Sequence, residues 1–148
     1  MKILITSIAV CTLIAITAAF SISSAQQIED QQVKEDAKLF MRAKLEHTKS
    51  IVEGLALEDF DAIGDHAQRL ILLSNETNWR TFQTEEYLDL SEEFRGSADR
   101  LRTAAKERNL DGSTLAYFEV TLNCVRCHKY VRKTQHDIKQ KKEASKKK

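Results

Sequence analysis

The sequence predicts an all-α fold, an antiparallel up-down-up-down four-helix bundle. The 148 residues contain no proline and four glycines, so few positions would interrupt a helix. Beyond residue 25 the chain lacks the alternating pattern that is typical of strands, and its apolar residues recur at helical spacing instead. The connections between the periodic segments are mostly short, which favours antiparallel neighbours within one domain.

Residues 1–25 are predicted to be an export signal that is removed from the mature protein. Lys2 precedes an apolar run from Ile3 to Phe20, and Ser23-Ser24-Ala25 supplies the small residues that precede a signal-peptidase cleavage site. An uncleaved membrane anchor is the alternative, but the run is close to the lower limit of about 18 residues for a spanning helix. We expect cleavage after Ala25, a periplasmic location and no membrane span in the mature form.

Four amphipathic segments follow, and they define a predicted bundle domain at residues 26–138. The helices are predicted at Ile28–Leu55, Phe60–Leu73, Glu85–Arg108 and Thr114–Ile138. The apolar side of the first helix comprises Val33, Ala37, Phe40, Met41, Leu45, Thr48, Ile51, Val52 and Leu55. The connection between the second and third helices carries Trp79 and Phe82.

Local signals set the ends of these helices. Asp59 is suited to cap the second helix because its side chain can accept a hydrogen bond from a free backbone N–H. Gly112 is predicted to stop the third helix, and Asp111 or Ser113 to cap the fourth. The basic tail at residues 139–148 is predicted to be disordered.

The cysteines of the mature chain are Cys124 and Cys127, because removal of the signal also removes Cys11. An exported protein reaches a compartment where thiols tend to oxidise. In such a compartment, two isolated cysteines this close in the sequence form a strained disulfide, bind a metal ion or anchor a cofactor.

The residue after this pair, His128, completes a C-x-x-C-H sequence, which is the attachment signature of c-type haem. Cysteines three residues apart share one helix face, and the adjacent imidazole can reach the iron of the same haem. A thioredoxin-like site needs a strand-rich setting and structural zinc needs about four ligands, so both fit less well. We predict one covalent haem c, with Cys124 and Cys127 as thioether anchors and His128 as an axial ligand of the iron.

Met41 is the predicted sixth ligand of the iron. In an up-down bundle the first helix is antiparallel to the fourth, so the start of the first helix lies beside the end of the fourth. A residue on the other side of the haem should therefore be about as far from the start of the first helix as His128 is from the end of the fourth. His128 is roughly 15 Å from the predicted end of the fourth helix, and Met41 is roughly 20 Å from the predicted start of the first. Ordinary core packing is the alternative role for this methionine. His47, at the edge of the apolar side, fits less well.

Five further residues are predicted to surround the haem. Lys44 falls within the apolar side of the first helix; a haem propionate could pair with it, or the side chain could extend to solvent. Arg132, one turn past the haem motif, could neutralise a propionate or be an exposed arginine. Phe94, together with Leu122 and Val125, is expected to pack near the porphyrin.

Composition excludes several classes of function. The formal net charge is +1, so bulk charge indicates neither nucleic acid nor a membrane surface as a partner. No nucleophile–base pair, acidic dyad or phosphate-binding loop stands out, and we predict that the protein is not an enzyme. The basic tail could bind an acidic redox partner or simply be solvated.

Three segments resemble the cytochrome c′ family of four-helix-bundle haem proteins. The haem motif on the last helix is followed by Arg132, Trp79 and Phe82 form a Trp-x-x-Phe pattern in the middle connection, and residues 51–54 read Ile-Val-Glu-Gly. The resemblance implies the same fold and one haem c. At Val131, where the family often has an aromatic residue, the chain departs from the pattern.

Within that family the first helix decides function. An aliphatic residue over the distal face leaves a five-coordinate iron that binds nitric oxide or carbon monoxide, whereas a methionine that reaches the iron gives a six-coordinate electron carrier. Met41 favours an electron carrier with redox partner proteins; the alternative is a five-coordinate, gas-binding protein. A haem subunit of a larger respiratory complex is a third hypothesis. Family members often dimerise, and the sequence leaves monomer and homodimer open.

Overall fold

The computed structural model describes residues 31–76, 82 and 84–146, which form four helices and no strand. The helices are α1 at residues 31–57, α2 at Phe60–Asn75, α3 at Glu85–Lys106 and α4 at Leu110–Ser145. The predicted export signal and Trp79 lie outside the described residues. None of the described helices combines the length and the hydropathy that crossing a lipid bilayer requires.

Neighbouring helices run in opposite directions, which confirms the predicted antiparallel up-down-up-down bundle. For each pair of neighbouring helices, the residue number of the contact partner falls as the residue number along the first helix rises, which is the pattern of antiparallel helices. The contacts are Lys44–Ser74 and Gly54–Ile63 between α1 and α2, Gly64–Ala105 and Gln68–Arg102 between α2 and α3, and Arg100–Glu119 and Glu93–Arg126 between α3 and α4. α1 also packs against α4, since Met41 lies in one cluster with Cys127.

Two apolar clusters hold the bundle together. The larger consists of Ile51, Phe60, Ile63, Ala67, Leu70, Phe94, Ala98, Leu101, Ala105, Ala116 and Val120. The smaller is built on Tyr87 and Cys127, with Phe40, Met41, Phe82, Leu90, Tyr130 and Val131 packed against them. The apolar side of α1 is narrower than predicted, because Val33, Leu45 and Val52 are 44%, 53% and 47% exposed.

The α2 cap is confirmed, and the predicted α3–α4 junction is wrong. Asp59 Oδ1 accepts a hydrogen bond from the Ala62 amide at 3.0 Å. At the junction, Asn109 caps α4 by accepting a hydrogen bond from the Gly112 amide at 2.9 Å, so Gly112 lies inside α4. Arg108, whose φ is 53°, adopts the left-handed conformation that often ends a helix.

The fourth helix is longer than predicted. α4 continues to Ser145, so residues 139–145 of the predicted disordered tail are helical. This segment consists mainly of Lys, Gln, Glu and Ala, which are good helix formers, and it contains no glycine or proline. Its side chains are exposed, and helix propensity rather than burial accounts for its structure.

Gly54 and Gly64 offer a matched test of the packing between helices. A Cβ at Gly54 would lie 2.9 Å from Ile63 Cγ1 and 3.3 Å from the Asp59 carbonyl oxygen, whereas a Cβ at Gly64 would meet Ala105 Cβ at 3.9 Å. We expect Gly54→Ala to lower the free energy of unfolding by about 1–2 kcal/mol through overpacking. Gly64→Ala should raise it by up to about 1 kcal/mol, because alanine favours a helix interior. Urea denaturation measures both, and equal effects would contradict this packing.

Candidate functional site

A cavity of about 260 Å³ lies between α1, α3 and α4. Six of the nine residues predicted to hold or surround the haem line it, and Arg132, Leu122 and Val125 do not. The lining residues are Met41, Lys44, Leu45 and Thr48 on α1, Leu90, Ser91 and Phe94 on α3, and Tyr117, Thr121, Asn123, Cys124, Cys127 and His128 on α4. Tyr117 and Thr121 were not predicted to lie here, although their helical spacing from Cys124 and His128 indicates that they share one face of α4.

The two motif cysteines lie on the α4 wall of the cavity and are not joined by a disulfide. Burial raises the pKa of the Cys124 and Cys127 thiols, and the positive charge of Lys44 partly opposes the shift. Within the described part of the chain, no three His, Cys, Asp or Glu side chains are grouped so as to hold a metal ion. Among the described residues, the two thiols therefore lack the additional ligands that a structural zinc site requires, since such a site takes four.

His128 lies on the same cavity wall as the two thiols. Burial, followed by the positive charges of Arg132 and Lys44, lowers the pKa of its imidazole. The neutral imidazole is the form that binds a metal, so its surroundings favour the state that an iron ligand requires. Arg132 is exposed, and its positive charge contributes to the lowered pKa of His128.

The α1 wall of the cavity carries Met41 and Lys44. Met41 is half-buried and packs against the cluster of Tyr87 and Cys127. Because α1 is antiparallel to α4, this methionine lines the same cavity as His128, as the estimate of depth along the two helices predicted.

Lys44 points into the bundle rather than out to solvent. Its Nζ donates a hydrogen bond to Ser74 Oγ at 2.8 Å and lies 4.5 Å from the centre of the Phe94 ring. Burial lowers the pKa of Lys44 to about 8, although Cys124 and Cys127 oppose the shift. The cavity thus has a mainly apolar lining with one amine inside it.

Phe94 lines the cavity, but Leu122 and Val125 do not. Phe94 is 7% exposed, whereas Leu122 and Val125 are 41% and 57% exposed. On a helix, residues two before and one after Cys124 leave its face, so both side chains lie outside the cavity. That they pack near a porphyrin stays a prediction.

Polar contacts fix α4 against α3 beside the cavity. The side-chain amide of Asn123 donates to Ser97 Oγ at 3.1 Å and to the Glu93 carbonyl oxygen at 3.2 Å. Further along α4, the Tyr130 hydroxyl shares a hydrogen bond with Thr84 Oγ1 at 2.6 Å. Asn123 is buried, and buried polar groups tolerate little displacement once paired, so its two hydrogen bonds hold the register of the haem motif relative to α3.

Comparison with family models and with curated proteins finds no match to this chain. Among solved structures, the chain is similar to a mutant of cytochrome c prime from Alcaligenes xylosoxidans in complex with nitric oxide. The two chains are 19% identical, and the match covers 64% of this chain and 91% of the other, with a TM-score of 0.49. The solved structure belongs to the family that the sequence resembles, while the assignment of a haem rests on this chain's own residues.

Lys44 has a testable effect on stability in the chain without haem. Its folded pKa of about 8 lies below the usual 10.5, so the folded chain binds fewer protons than the unfolded chain between these values. The free energy of unfolding should therefore rise with pH across this window. Lys44→Met should remove that rise and stabilise the chain at pH 7 by roughly 3 kcal/mol at most.

Denaturation at pH 7 and pH 10 measures the effect of Lys44. Lys49→Met is the matched control, since Lys49 is an exposed α1 lysine paired with Glu46. A loss of stability at pH 7 in Lys44→Met, beyond that of the control, would contradict a cation disfavoured by burial.

Proposed function

We propose that this chain is a monohaem c-type cytochrome that carries electrons outside the cytoplasm and catalyses no reaction of its own. One observation carries the proposal: Cys124, Cys127 and His128 line the same cavity as Met41, which lies on the antiparallel helix α1. Two thiols, an imidazole and a thioether around one mainly apolar space are the donor set of a covalent haem with His/Met ligation.

The residues on α4 fit the attachment of a haem. Cys124 and Cys127 are three residues apart on one helix face, so their sulfurs can bond to the two vinyl groups of one porphyrin. His128 would bind the iron through a neutral imidazole, which its lowered pKa favours. A bound haem supplies an iron that takes up and releases one electron.

The opposite wall supports the role of an electron carrier. Met41 would bind the iron from α1, and a thioether ligand raises the reduction potential of a haem. Leu90 and Phe94 line the α3 side of the cavity, where their apolar side chains would exclude water from a bound haem. Lys44 lies where a haem propionate could replace Ser74 as the partner of its ammonium group.

The helical extension at residues 139–145 suggests the chemistry of the redox partner. Lys139, Lys141 and Lys142 are exposed there, beyond the last helix residues that contact the rest of the bundle in either apolar cluster. A cluster of this kind favours encounter with an acidic protein surface, and the effect weakens as salt rises. Truncation after Ile138 should slow electron transfer to an acidic partner at low salt, and an unchanged rate would remove this part of the proposal.

The absorption spectrum of the ferrous holoprotein, with and without carbon monoxide, tests the proposed function. An electron carrier with His/Met ligation gives sharp, split α and β bands and does not respond to carbon monoxide. A broad high-spin spectrum that shifts as soon as carbon monoxide is added would overturn it, and would favour a five-coordinate protein that binds nitric oxide or carbon monoxide.

A further inference from the structure

Two histidines meet at the α1–α2 interface, away from the haem motif. His47 Nδ1 and His66 Nδ1 are 3.0 Å apart, and the two ring centres are separated by 5.2 Å. Both side chains are half-buried, and neither lines the cavity. Because both atoms are Nδ1, at most one proton lies between them, and at least one ring presents a lone pair to the other.

The distance between the two nitrogens suits a metal ion. The two rings face each other almost head-on, since their centres are 5.2 Å apart, so each ring must turn to direct its Nδ1 lone pair at one shared ion. Imidazole nitrogens bind first-row metals at about 2.0–2.1 Å, so two nitrogens 3.0 Å apart subtend an angle of about 90° at the metal. That is the angle between adjacent ligands in tetragonal geometry, whereas a tetrahedral ion would need the nitrogens to move apart.

We propose that His47 and His66 form a binding site for a divalent transition metal of tetragonal preference, with Cu²⁺ the best fit, that links α1 to α2. Each ring binds through Nδ1 and keeps its proton on Nε2, so binding requires a change of tautomer and no redox step. Imidazole ligands and a right angle both favour Cu²⁺ or Ni²⁺, and Cu²⁺ binds the more tightly of the two.

The surroundings of the site define its remaining ligands and its strength. No third His, Cys, Asp or Glu joins the pair among the described residues, so water supplies the other positions. The positive charge of Arg69, one turn after His66, acts on His47. Arg69 therefore opposes a cation at this site, and the proposal implies that its removal strengthens binding.

The site would act on the wall of the haem cavity. His47 lies between Lys44 and Thr48, which both line that cavity. A metal ion shared by α1 and α2 would fix this turn of α1, so occupancy would raise the thermal stability of the protein. The inference does not depend on electron transfer, because the histidine pair is separate from the haem ligands.

Copper titration of the holoprotein tests the site, by calorimetry and by electron paramagnetic resonance of Cu²⁺. We expect one Cu²⁺ bound per chain through two nitrogens, with a rise in Tm. His47→Ala and His66→Ala should each weaken binding by about tenfold or more and remove the rise in Tm. His136→Ala is the matched control, since this exposed histidine lies beside Asp137 on α4 and should leave binding unchanged.

A variant that keeps both histidines separates a metal site from a purely structural contact. Arg69→Gln should tighten copper binding by about two- to fivefold, which the loss of a packing contact would not do. Absence of copper binding in the wild type, binding that survives in both His47→Ala and His66→Ala, or binding that is lost in His136→Ala would each overturn the proposal.

Discussion

Replacement of both motif cysteines, Cys124→Ser with Cys127→Ser, is expected to abolish covalent haem attachment. Serine nearly preserves the size of each side chain but cannot form a thioether bond to a vinyl group. Each single replacement should leave one bond and a much reduced yield of holoprotein. Haem staining after denaturing electrophoresis measures attachment directly, because only covalently bound haem stays with the chain.

Val125→Ala is the matched control for the cysteine replacements. Val125 lies between the two cysteines, but its side chain is 57% exposed and outside the cavity. This variant should keep its full complement of haem. Covalent haem in the doubly substituted protein would contradict the assignment of Cys124 and Cys127 as the anchors.

Replacement of Met41 by alanine should convert the iron from low spin to high spin. The variant loses the thioether on the α1 wall, which is the group that would bind the iron as its proposed sixth ligand. Its split ferrous bands should broaden and its reduction potential should fall. Affinity for carbon monoxide should rise about tenfold or more, because an internal ligand no longer competes for the iron.

Leu45→Ala provides the comparison for Met41→Ala. Leu45 also lines the cavity from α1, but its side chain has no atom that can bind iron. It should retain the low-spin spectrum of the wild type. If both variants keep that spectrum, Met41 is a packing residue and a different group binds the iron.

Helical periodicity accounts for what the sequence predicts of the fold. Apolar residues recur at helical spacing on one face of each predicted helix. Four that lie on these faces are fully buried in the structure: Ile51, Ile63, Leu70 and Leu101. The pattern carries the number and order of the helices because an amphipathic helix must bury its apolar side. The haem motif is equally local, since five consecutive residues contain it.

The end of α3 shows where local signals compete. Gly112 is a typical helix stop, but the Asn109 side chain accepts a hydrogen bond from the Gly112 amide and starts α4 earlier. The left-handed turn falls on Arg108 instead. A sequence pattern gives each of these signals separately and does not say which one prevails.

Contacts between residues on different helices depend on the angle and level at which the helices cross, and the periodicity of the sequence does not predict these. His47 and His66 are 19 positions apart and meet only because α1 and α2 pack at that level. Lys44 has the same character, because its bond to Ser74 and its position over Phe94 come from two other helices. Exposure of Val52 follows likewise from which stripe of α1 faces its neighbours.

The mass of the purified, exported protein tests the central claim most directly. The chain should be produced in cells that attach haem to C-x-x-C-H sequences, and its mass measured under denaturing conditions. We predict the mass of the polypeptide from Gln26 onwards plus one haem, with the absorption of haem in the same species. A mass equal to the bare polypeptide, with its thiols free, would contradict the assignment of a covalent haem at Cys124 and Cys127.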